Sequence, residues 1–180
     1  MKKLYIPLLA LVIFLSESIF VTTFSGGFFT SDKIFVPRFL MIFLVFMAVY
    51  SGNRTALYYS FVIGILFDVV YTEILGIYLF IFPLITYGIS KVMKILQNNI
   101  FVVSFMSLVA IAILEMIVYG MNALLGFVSM TFQQFLSDRL VPTLILNAIV
   151  ILIIAYPLRK FLLKYSEEEN NEILFRKKTK

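Results

Sequence analysis

Four ionisable residues stand inside apolar stretches of this sequence: Glu17, Arg38, Asp68 and Glu115. A charge facing hydrocarbon costs a few kcal/mol or more, so such residues turn towards a protein interior and find partners there. Two carboxyl groups at close range can trade protons as general acid and base. A carboxylate facing a guanidinium forms a strong, directional ion pair. Arg38 can answer one or two of the three acids, which leaves at least one to be protonated or paired with a group outside the chain. The rest of the catalytic repertoire is thin. The sequence has no Cys and no His, which removes the thiol nucleophile, the disulfide and the commonest base and metal ligand. Gly26 and Gly27 read as a turn, because nothing after them would cradle a phosphate. The expectation is a protein that is not an enzyme, with no cofactor, no metal and no nucleic-acid partner.

The elements that must position these residues are spans in a bilayer. Of 180 residues, 62% are hydrophobic and 14% charged, and the mean hydropathy is +1.02. A soluble domain carries about a quarter charged residues. A membrane helix needs about 20 mostly apolar residues, and six runs qualify or nearly so: 4–24, 34–50, 56–71, 74–89, 100–119 and 140–161. The third and fourth are short and separated only by Thr72 and Glu73, so they read as a tight hairpin or as partly broken helices. The backbone must bond to itself in lipid, so the fold class is all-α, a bundle of six transmembrane helices over 1–164 with a short charged tail over 165–180. The first run is longer than a signal-peptide core and lacks a cleavage pattern after it, so it is expected to stay as a span.

Basic residues set the orientation. With both termini in the cytoplasm, all 15 Lys and Arg residues except Lys33, Arg38 and Arg139 fall on the inner side, as the positive-inside rule asks. Counting along each span then places Glu17 about 20 Å, Asp68 about 18 Å and Glu115 about 22 Å from the inner face. Arg38 lies four residues into a span entering from outside. All four fall in the outer half, which suggests a shared polar pocket; for Glu17 and Arg38, snorkelling to the interface is the alternative. Residues 124–136 are too polar to span. Leu124, Leu125, Phe127, Val128, Phe132, Phe135 and Leu136 oppose Ser129, Gln133 and Ser137, the pattern of an amphipathic helix in the interface, a lid or a docking surface. The tail runs from Glu167, Glu168 and Glu169 to Arg176, Lys177, Lys178 and Lys180. It is either a solvated end or a weak attachment to anionic lipid.

Small residues give a second pattern. Ala56, Ser60, Gly64 and Asp68 recur every fourth position, a spacing that lets helices approach closely. The face serves packing within the bundle or a partner's transmembrane helix, and a homo-oligomer stays open. The stretch from Gly64 through Asp68 and Gly76 to Tyr87, with Pro37-Arg38-Phe39-Leu40 before it, resembles the central motif of the MreD family of rod shape-determining proteins. The family positions here are Pro37, Gly64, Asp68, Gly76 and Tyr87; Glu17, Arg38 and Glu115 are not carried by the resemblance. It implies a scaffold subunit of the bacterial cell-wall elongation machinery. Such a subunit binds the single-span protein MreC and is linked through it to MreB, RodA and a class B penicillin-binding protein. It also implies a fold similar to the substrate-binding S components of energy-coupling-factor transporters. A carrier of that kind is the rival reading, but Ala10 is followed four residues on by Phe14 and Ser16 by Phe20, where S components carry an Ala-xxx-Ala pattern. A proton-coupled transporter using Asp68 or Glu115 would call for inverted repeats, and the two halves share none.

Overall fold

The structure, a computed structural model, describes residues 4–24, 33–72, 76–96, 98–128 and 130–178, with side chains apart from those of residue 24 and of 168–178. Gly26 and Gly27, Glu73, Ser129 and the charged side chains of the tail beyond 167 therefore lie outside what is described. Among the described residues all regular secondary structure is helical: α1 (Tyr5–Phe24), α2 (Phe39–Tyr50), α3 (Asn53–Tyr71), α4 (Ile77–Met93), α5 (Ile100–Leu124), a single turn α6 (Phe132–Gln134), a π-helical segment (Phe135–Leu140) and α7 (Val141–Lys178). Four stretches are long and apolar enough to cross a membrane: Tyr5–Thr23, Asn53–Tyr71, Ile100–Leu124 and Phe132–Glu167. The other two, α2 and α4, are shorter apolar helices.

The length of α2 is the first departure from the sequence reading. Its 12 residues rise only about 18 Å, well short of the ~30 Å hydrocarbon core. Residues 34–38 are not helical, and the backbone turns into the helix at Arg38, with φ −133° and ψ 45°. The cause is local: Pro37 disfavours the helical conformation for Val36 before it. At up to ~3.3 Å per residue, this non-helical piece can add about 16 Å to the length of α2. Every residue of α2 from Leu40 to Ala48 is buried, which is what an all-round apolar helix requires. It packs against α1, α3, α4, α5 and α7 and so forms the post of the bundle.

The remaining departures have equally local causes. The stretch 124–136 is not one helix. α5 ends at Leu124, Gly126 takes a left-handed φ of 76°, and a new helix starts at Thr131, whose side chain and that of Gln134 form a capping box. Leu124, Leu125, Phe127 and Phe132 are exposed, but Phe135 is fully buried. At the other end, α7 does not stop at the tail; its backbone stays helical to Lys178.

α3 and α4 form the closest pair. Ala56, Ser60, Gly64 and Asp68 are all buried, so the small-residue stripe faces the bundle. A Cβ at Gly64 would stand 2.7 Å from the Tyr78 carbonyl oxygen and 2.8 Å from Leu79 Cα; both are backbone atoms that cannot swing aside. Gly88 has nothing within 4 Å of such a Cβ. Gly64→Ala is therefore expected to lose about 1–3 kcal/mol through overpacking, whereas Gly88→Ala holds or gains stability because Ala is the better helix former. Thermal unfolding of the two variants in detergent checks the contrast.

Candidate functional site

The first turn of a helix has N–H groups with no partner inside the helix, and in a membrane no water replaces one. Each of the two short helices meets this need with a carboxylate from the helix before it. Arg38, at the start of α2, offers no side-chain cap; instead Glu17 on α1, almost fully buried, accepts the Leu40 N–H through Oε2 at 3.2 Å. At the start of α4, Gly76 has a left-handed φ of 111°, which a side chain would oppose. There Asp68 on α3 accepts three backbone N–H bonds: Gly76 at 3.0 Å, Tyr78 at 2.9 Å and Leu79 at 2.9 Å. The Thr72 hydroxyl adds a fourth at 3.4 Å.

The third acid, Glu115 on α5, is fully buried and bridges two arginines. Arg38 Nε and Nη2 both lie 2.6 Å from its Oε1. Arg139 Nε donates to Oε2 at 2.9 Å. Arg38 also donates to the Tyr78 hydroxyl at 3.3 Å, and its guanidinium lies 5.9 Å and 5.6 Å from the Phe67 and Tyr78 ring centroids. Those rings stand 4.6 Å apart, so the cation rests on a packed aromatic surface, a contact worth up to about 2 kcal/mol when desolvated.

The non-helical lead-in to α2 is sewn to α7. Asn147 donates to the Val36 carbonyl at 2.9 Å and accepts the Arg38 N–H at 2.9 Å. The Thr143 hydroxyl accepts the Val36 N–H at 3.2 Å. Ile34 N–H reaches the Asp138 carbonyl at 2.6 Å. That carbonyl is open because Pro142, four residues on, has no N–H to give it. The neighbouring π-helical turn, a form that concentrates at functional positions, carries Arg139 onto Glu115.

Of the residues singled out from sequence, Glu17, Arg38 and Glu115 gather around the α2 entry. Asp68 is engaged one helix away and meets the group only through Tyr78. Pro37 is buried; Tyr87 is exposed, with Lys91 Nζ 5.1 Å from its ring centroid. Tyr78, Arg139, Thr143 and Asn147 were not anticipated. Among the described residues no group of three or more acidic side chains could hold a metal ion. The carboxyl groups of Glu17, Asp68 and Glu115 each accept from protein donors among the described residues.

Glu115 answers two cations and Arg38 can be lost with Arg139 still in place, so their variants differ. Glu115→Gln is expected to cost about 3–5 kcal/mol, the scale for stranding a buried charge, and Arg38→Met less. The double variant should fall short of the sum by about 1 kcal/mol or more, measured by unfolding in detergent.

Comparison with known proteins concerns the chain as a whole. A family model described as rod shape-determining protein MreD matches residues 2–165. The rod shape-determining protein MreD of Bacillus subtilis (strain 168) is 37% identical over 172 residues, covering 96% of this chain and 100% of that protein. The cell shape-determining protein MreD of Streptococcus pneumoniae (strain ATCC BAA-255 / R6) is 28% identical over 138 residues, 77% of this chain and 84% of that one. No solved structure matches the chain.

Proposed function

The chain belongs to the MreD family of rod shape-determining proteins, a multi-pass membrane protein with four helices fit to span, and on that premise we propose that it is a non-enzymatic scaffold of the cell-wall elongation machinery. It binds MreC within the membrane and through it serves MreB, RodA and a class B penicillin-binding protein. The chain crosses six times, the non-helical lead-in completing the second crossing, with both termini in the cytoplasm.

The observation that carries the reading is similarity to shape-determining proteins along nearly the whole chain. The chemistry is in keeping with it. Glu17, Asp68 and Glu115 all accept from backbone N–H groups or guanidiniums of the bundle itself. The bundle leaves apolar side chains open on α1, α3, α4, α5 and α7, among them Leu8, Leu11, Phe61, Phe80, Phe105 and Leu152. Such surface serves lipid or another protein's transmembrane helix.

Affinity purification of the tagged chain from membranes, with identification of what accompanies it, tests the proposal. MreC is expected to be recovered, with the wall polymerases at lower yield. Recovery of an ATPase module with MreC absent would contradict it and favour a carrier subunit.

A further inference from the structure

At the end of the bundle where α5 stops and α4 begins, a cavity of about 320 Å³ opens between α4, α5 and the π-helical segment. We propose that this cavity binds the phosphate headgroup of an anionic membrane lipid. Its polar wall is Arg139, Tyr78, Asn122 and Thr72, and its apolar wall includes Val118 and Phe127.

Three features point to that ligand. The first is charge: Arg38 and Arg139 share the single carboxylate of Glu115. Arg139 spends only Nε on it, and among the described residues its two terminal amino groups make no other hydrogen bond. They form the donor fork that suits a phosphate. The Tyr78 hydroxyl, which accepts from Arg38, keeps its own proton to donate.

The second feature is depth. The 25 residues of α5 rise about 37 Å against a ~30 Å hydrocarbon core, and the α5 wall of the cavity, Val118 and Asn122, belongs to its last two turns, so the cavity straddles the boundary between hydrocarbon and headgroups. The third is the rim. Phe127, on the cavity wall, is 67% exposed, and its near neighbours in the chain Leu124 and Leu125 are exposed as well. A soluble anion has no use for this border, whereas the acyl and glycerol parts of a lipid would cover it while the phosphate meets Arg139. The volume is roughly ten times a water's share of the liquid, room for a phosphoglycerol group.

The test uses the purified full-length chain alone, so its outcome is independent of the scaffold role. Thermal unfolding is compared in phosphatidylcholine bilayers with and without phosphatidylglycerol, since a ligand of the folded state raises the midpoint. The expected result is a higher midpoint with phosphatidylglycerol, and no such rise on adding inorganic phosphate to phosphatidylcholine. Arg139→Gln should lose about tenfold or more in affinity for phosphatidylglycerol, the scale of one charge-assisted hydrogen bond. Asn122→Phe fills the cavity without touching Glu115 and should also abolish the rise; reading the lipid difference within each variant removes any change in baseline stability. Equal midpoints in both bilayers, a rise that survives both variants, or a rise reproduced by inorganic phosphate would overturn the proposal.

Discussion

A helix that begins inside a membrane exposes N–H groups with nothing to bond, and this constraint organises the bundle. Glu17 on α1 answers it for α2, and Asp68 on α3 answers it for α4. Glu115 on α5 does the corresponding work by ion pairing, holding Arg38 before α2 and Arg139 before α7. One acid on each of three helices thus fixes where a neighbouring helix starts. The acidic side chains sit where helix N-termini carry partial positive charge, so electrostatics and hydrogen bonding favour the same geometry.

The short buried helix α2 follows from this. Because Glu17 can cap a helix start deep in the bundle, the chain can enter as a non-helical segment and turn helical only at Phe39. The segment's own backbone groups are met by Thr143, Asn147 and the Asp138 carbonyl, so irregular backbone at this depth is buried in protein, the condition under which a membrane tolerates it. Arg38 closes the joint: its N–H binds α7, its guanidinium binds α5, and its flat face rests on rings of α3 and α4. Four helices are referenced to one residue. A bundle pinned in this way presents fixed apolar faces, which suits a family named for shape determination.

Much of this was readable from the sequence, and the unread parts have physical reasons. Apolar run length located the helices, and the cost of buried charge singled out Glu17, Arg38, Asp68 and Glu115. The four-residue spacing from Ala56 to Asp68 marked a close-packing face but left open whether the bundle or a partner helix meets it, and the structure turns Gly64 onto the α4 backbone. The non-helical lead-in was missed although Pro37 signalled it, because an apolar run looks continuous whether helical or not. Thr143 and Asn147 were invisible for another reason: their partners lie more than a hundred residues earlier, and pairing at that distance leaves no periodic trace. Arg139 passed for a loop charge, since nothing in the sequence announces that a π-helical turn will carry it inward. The carboxylates suggested one shared pocket, but Glu17 and Asp68 cap different helix starts while Glu115 pairs with Arg38 and Arg139.

Amide hydrogen exchange at individual residues tests this account most directly, because uncapped first-turn amides normally exchange fast. In the unmodified protein, Leu40, Gly76, Tyr78 and Leu79 should be protected like amides in the middle of α5. Asp68→Ala should speed exchange at Gly76, Tyr78 and Leu79 about tenfold or more, the scale of a lost charge-assisted bond, while leaving Leu40 unchanged; Glu17→Ala should do the reverse. Rapid exchange at these amides in the unmodified protein, or a uniform loosening of both helix starts in either variant, would contradict it.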